Sequence, residues 1–151
     1  MDNKRAWRAV LLSLTGVLLT ASCGYAAAIH SAEIPQERLT GTWVSPAGTS
    51  LTFSPDHTFA GAGFDKVEAM AGCAGRATLS TGRWAFHDVP AVPDETATRG
   101  HDLQLSFDGH PACIVRVYLY GDFGDTDDPS MCPTQDPDAG CPSGGYLKRE
   151  A

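Results

Sequence analysis

From Leu39 onward the chain is a series of short runs in which apolar and polar residues alternate, each run ended by Gly, Pro, Asp or Ser. A period of two sends successive side chains to opposite faces of a strand, so such a chain is expected to fold as β-sheet. Leu103, Leu105 and Phe107 alternate with Asp102, Gln104 and Ser106, which predicts a strand with one dry face and one wet face. In Cys113–Tyr120, by contrast, Cys113, Val115, Val117 and Leu119 share one face, and Ile114, Arg116, Tyr118 and Tyr120 share the other. Both faces are largely apolar or aromatic, so this strand is expected to be central and partly covered on both sides.

Leu51 and Phe53 also alternate with Thr52 and Ser54, and Ser54-Pro55-Asp56-His57 then leads into Thr58-Phe59-Ala60. This is a hairpin signal with Pro early in the turn and His57 where such turns often carry Gly. Ala77-Thr78-Leu79 and Trp84-Ala85-Phe86 read as strand but out of phase, which a bulge or break near Gly82 would reconcile. Only Asp65–Ala71 reads as helix, of at most about two turns. The expectation is an all-β domain over residues 39–149, a small antiparallel sheet or curled barrel of about six to eight short strands.

The chain has five cysteines. Cys23 stands apart, and Cys73, Cys113, Cys132 and Cys141 form an even set that reads as disulfides in an exported protein. Three connectivities are open to four cysteines. Cys132 and Cys141 each precede a proline and enclose the turn-rich Pro133–Gly140, which favours a local Cys132–Cys141 clamp and a long-range Cys73–Cys113 staple. The rival, a four-cysteine zinc site, lacks its close-spaced pairs.

The export reading rests on the first residues. Lys4, Arg5 and Arg8 precede an uncharged run from Ala9 to Ala21, which is shorter than the roughly 20 apolar residues a spanning helix needs. Leu19-Thr20-Ala21-Ser22-Cys23 then reads as a lipobox, with residues 1–22 a signal peptide and Cys23 the acylated first residue, palmitate among the expected chains. Residues 23–38 read as a tether. The expected location is the extracytoplasmic face of the cell membrane, held by the lipid. An ordinary secretory cut after Ala27 or Ala28 is the alternative.

Two stretches echo each other. Leu39-Thr40-Gly41-Thr42-Trp43-Val44 and Ser80-Thr81-Gly82-Arg83-Trp84-Ala85 both give Thr-Gly-x-Trp leading into a strand. Together with Ser50-Leu51-Thr52-Phe53-Ser54-Pro55-Asp56-x-Thr58-Phe59 and the ending Gly145-Tyr146-Leu147-Lys148-Arg149, the pattern resembles the small lipocalin-like lipoproteins of high-GC Gram-positive bacteria. The resemblance implies an envelope location and a curled β-fold, and it carries over no catalytic residue. Gly41-x-Trp43 also resembles the opening of true lipocalins, whose eight long strands need more chain than this domain has.

A net charge of −7, which becomes more negative once the basic leader is gone, disfavours nucleic acid. Asp122, Asp125, Asp127 and Asp128 are the candidate calcium ligands, although their spacing does not match an EF-hand and a solvated acidic turn is the simpler reading. His30, His57, His87, His101 and His110 are scattered, and His87, His101 and His110 fall at predicted strand ends. No nucleophile elbow, phosphate loop or dinucleotide fingerprint is present, so no enzyme is expected. Tyr118, Tyr120 and Arg116 form either a recognition face or a surface that packs against the segment around Tyr146.

The expectation is therefore a monomeric, non-enzymatic binding module for a small ligand or an envelope partner. Its pocket would be lined by Trp43, Phe53, Trp84 and Phe107. The alternative is a structural or interaction lipoprotein whose same four side chains fill the core.

Overall fold

The computed structural model describes residues 31–88, 92–121 and 127–151. The segment read as a signal peptide, Cys23, Asp122 and Asp125 lie outside them. The strands are β1 (Ile34–Pro35), β2 (Gly41–Val44), β3 (Ser50–Phe53), β4 (Thr58–Ala62), β5 (Thr81–Asp88), β6 (Val92–Asp94), β7 (Arg99–Gly100), β8 (Asp102–Phe107), β9 (His110–Tyr120), β10 (Ser130–Pro133) and β11 (Leu147–Arg149). Eight of them pair in the order β4-β3-β2-β11-β10-β9-β8-β5, and β5 then pairs with β4 to close an antiparallel barrel. β6 extends the sheet beyond β5, and β1 pairs with β7 as a separate two-stranded ribbon. Eight strands fit into this length because most are short; β2, β3 and β10 have four residues each and β11 only three.

The predicted alternation holds where it was strongest. Leu103, Leu105 and Phe107 of β8 point inward, as do Cys113, Val115, Val117 and Leu119 of β9. The hairpin between β3 and β4 forms as expected, with Ser54 N–H donating to Thr58 O at 2.9 Å. His57 takes the left-handed conformation (φ 63°) that the turn demands, a backbone shape for which Gly is the usual occupant. Its ring stacks on Trp84 at 4.3 Å, a contact that a glycine could not make.

Gly82 explains the second Thr-Gly-x-Trp. It lies in the seam that closes the barrel, opposite Phe59 of β4 and Phe107 of β8. A Cβ there would stand 2.0 Å from the Ser106 carbonyl oxygen and 2.8 Å from the Phe59 ring, so a side chain at this position would hold the seam apart. β5 starts at Thr81 without the bulge expected near Gly82. Ala77–Leu79 does not form a strand; Thr78 N–H and Oγ1–H both bond to Gly75 O, which ties the segment into a turn.

The expected helix resolves into two single 3-10 turns, Phe64–Lys66 and Glu68–Met70, separated by the extended Val67. Phe64, Val67 and Met70 are buried in the core, and the Phe64 ring meets Phe107 edge-on at 5.0 Å. These turns cover the barrel end where β8 runs into β9.

The opposite end is covered by residues read from sequence as tether. Ser31 bridges to Tyr120, Ile34–Pro35 pairs with β7, and Gln36–Leu39 forms one helical turn. Ala32, Ile34 and Leu39 are almost wholly buried. The folded chain therefore begins by Ser31 rather than at Leu39. The missed signal is three apolar side chains with no regular spacing, which serve as a plug rather than as a strand face.

Candidate functional site

Trp43, Phe53, Trp84 and Phe107 are no more than 4% exposed. Phe53 meets Trp84 edge-on at 5.9 Å, Trp84 meets Phe86 at 5.5 Å, and Phe59 meets Phe107 at 5.2 Å. The Trp43 indole N–H donates to Leu39 O at 2.8 Å, and that of Trp84 to Ser54 O at 3.2 Å. These four side chains belong to the buried core, and each indole N–H is satisfied by backbone.

Both disulfides form as the cysteine spacing suggested. Cys73 joins Cys113 and Cys132 joins Cys141, with Cα–Cα separations of 5.2 and 5.7 Å. Asp127 and Asp128 are each in an ion pair, Asp127 with Arg38 and Asp128 with Lys148, both at 3.0 Å. Among the described residues no group of three or more His, Cys, Asp or Glu side chains is placed to hold a metal ion.

The outer face of the sheet carries an ionic cluster that no linear motif announced. Arg116 of β9 reaches diagonally to Asp102 of β8, with Nη2 to Oδ2 at 2.9 Å. It also donates to Nδ1 of His87, whose ring nitrogen lies 3.7 Å from the same carboxylate. His87 lies at the end of β5, as the sequence suggested, and its side chain is only 8% exposed. Burial raises the Asp102 pKa, and the nearby Arg116, His87 and His101 only partly offset this. Arg116 also lies 5.6 Å from the Tyr118 ring centre, in cation–π range. His87 and Asp102 are nearly dry, while the Arg116 side chain is 40% exposed.

Tyr120, next along this face, meets Tyr146 edge-on at 5.8 Å, so its ring packs against the C-terminal segment. Its hydroxyl is buried without a hydrogen-bond partner. Burial pushes its pKa up to about 12, and Tyr146, Tyr118 and Asp138 add to the rise. A raised folded pKa contributes stability below the ordinary value near 10, and that contribution is lost as pH climbs toward the folded one. An alkaline titration followed by tyrosinate absorbance is expected to show one tyrosine lagging by about two pH units, and Tyr120→Phe should remove that late step. A wild-type curve in which every tyrosine titrates together near pH 10 would contradict it.

A concavity lies on the outside, at the barrel end covered by the 3-10 turns. It is a cleft of about 690 Å³ between two walls. One wall is Glu68–Gly72, and Cys73, the next residue, is bonded to β9 through Cys113. The other runs from Pro133 to Pro142, and Cys141 within it is bonded to Cys132 of β10. Asp136 caps the short 3-10 turn Pro137–Ala139, its Oδ1 accepting from Asp138 N–H at 3.1 Å and Ala139 N–H at 3.4 Å. Gln135 crosses between the walls, donating from Nε2 to Ala69 O at 3.0 Å.

No step of chain separates these walls by less than sixty residues, so the sequence carried no local sign of the cleft. What it did carry was the cysteines, which hold both sides. Compared with known proteins, the chain matches no family model, no curated protein and no solved structure.

Proposed function

We propose that this protein is a lipid-anchored extracytoplasmic module that recognises an envelope partner through its exterior, with no ligand chamber inside the barrel. The observation that supports this reading is the packing of Trp43, Phe53, Trp84 and Phe107 into a core at no more than 4% exposure, while the open cleft lies outside the sheet. A binding barrel needs a lined cavity of several hundred cubic ångströms, and the burial of these aromatic side chains supports a filled interior instead. The anchor rests on the leader and on Cys23, as argued from the sequence.

Two measurements test the two halves of the reading. Intact mass of the mature protein should give a chain starting at an acylated Cys23, and Cys23→Ala should leave the detergent phase while keeping the folded barrel. An unmodified chain starting at Ala28 or Ile29 would replace the anchor with simple secretion. For the interior, palmitate and 1-anilinonaphthalene-8-sulfonate should leave the fluorescence of buried Trp43 and Trp84 unchanged. Saturable quenching by either would establish a lumen and overturn exterior recognition.

A further inference from the structure

We infer that the cleft between Glu68–Gly72 and Pro133–Pro142 is the recognition site of this module, and that its occupant is an extended polypeptide segment bearing Lys or Arg side chains. This rests on the exterior-recognition reading and gives it a site and a ligand class.

Charge is the first argument. The residues lining the cleft include the exposed carboxylates of Glu68 and Asp136 and no Lys, Arg or His. Elsewhere on the barrel Arg38, Arg83, Arg99, Arg116 and Lys148 all stand in ion pairs with acids. Glu68 and Oδ2 of Asp136, whose Oδ1 caps its own turn, are left for a ligand. Lys66 is the nearest internal competitor, sharing an adjoining small hollow with Glu68.

Shape is the second. Ala69, Ala71, Gly72, Ala139 and Gly140 keep the walls low, so that a ligand's main chain can approach the protein backbone closely, and Pro133 and Pro142 give a stiff apolar floor and rim. The third is rigidity. Each wall is tied to the barrel by its own disulfide, and Gln135 bridges them, so little ordering is left to be done when a partner binds.

The two walls attach at different points along β9 and its neighbour β10. The chain enters the barrel where Ser31 meets Tyr120, at the C-terminal end of β9. The Cys73 wall attaches at Cys113, toward the other end of that eleven-residue strand.

The test uses the full chain and a fluorescent, acetylated and amidated Lys-Gly repeat hexapeptide with three ammonium groups, read by anisotropy. Binding should be saturable, weaken as salt rises, and fall about 3- to 10-fold in Glu68→Gln/Asp136→Asn. Asn at 136 keeps the Oδ1 acceptor for the capping turn, so the fold is expected to survive, which amide proton spectra verify. Lys66→Gln should tighten binding, and Glu150→Gln, a single carboxylate neutralised outside the cleft, should leave it unchanged. Spermidine, with the same number of ammonium groups, should compete at least tenfold more weakly than the peptide. Equal competition by spermidine, an equal loss in Glu150→Gln, or no saturable binding would overturn the inference. The outcome does not depend on acylation, so an anchor that fails at Cys23 and a cleft that fails here are separate results.

Discussion

Trp84→Ala is expected to cost about 4 kcal/mol of folding stability, within the roughly 3–5 kcal/mol range for truncating a buried aromatic. The indole is 1% exposed, stacks on His57, meets Phe53 and Phe86 edge-on, and donates its N–H to Ser54 O. Truncation leaves a void that these neighbours cannot fill without moving the hairpin turn, because His57 is held there by its own left-handed backbone. Against a typical total of about 5–15 kcal/mol this is a large fraction, on the order of 15 °C in melting temperature. Urea unfolding should show the midpoint falling with its slope unchanged. Val44→Ala, at a position 37% exposed on the outer face, should stay within about 0.5 kcal/mol. A Trp84→Ala loss below about 1 kcal/mol would mean a loosely filled interior, which would also undercut exterior recognition.

The second large effect separates the two disulfides. Cys73–Cys113 closes a loop of sequence separation 40, and Cys132–Cys141 one of separation 9. If the bonds act by restricting the unfolded chain, losing the first should cost about 4 kcal/mol and losing the second about 2.5 kcal/mol. The paired variants Cys73→Ala/Cys113→Ala and Cys132→Ala/Cys141→Ala, melted side by side, measure the order directly. Cys113 and Cys132 are both buried, so packing losses are similar and do not decide it. A larger loss from the short loop would show that the clamp works mainly in the folded state, by holding its segment over the Tyr118–Tyr120 face.

Much of the barrel was legible because a period of two has a single structural meaning when one face must be dry. β8 and β9 could be written down from Leu103–Phe107 and Cys113–Tyr120, and the Ser54–His57 turn fixed the hairpin before them. The cysteine pairing followed from which segment could turn. Sequence reasoning failed where the physics is not periodic. Ala32, Ile34 and Leu39 plug an opening without repeating, and Ala77–Leu79 alternates yet is drawn into a turn by Thr78.

The His87–Asp102–Arg116 cluster was illegible for another reason. Each member sits at an outward position of a different strand, and only the register brings them together. The pattern does hold one trace of them: an ionisable residue at an outward position of each of three strands whose inner positions are apolar. The cleft has no such trace, because its walls come from two loops whose meeting depends on the closed barrel.

The place of the last strand sets the order of events in folding. β11 lies between β2 and β10, and Lys148 of β11 is opposite Val44 of β2. Until residues 147–149 are in hand, β2-β3-β4-β5-β8-β9-β10 can pair only as an open sheet, with β2 and β10 as bare edges. Such edges invite pairing with other chains, and closure over so long a separation is slow. A polypeptide that crosses a membrane N-terminus first delivers its keystone last, so it cannot seal into a barrel too wide for the passage. Maturation then becomes a matter of timing: the period between the arrival of β2 and that of β11 is when the molecule is most exposed to proteolysis and aggregation.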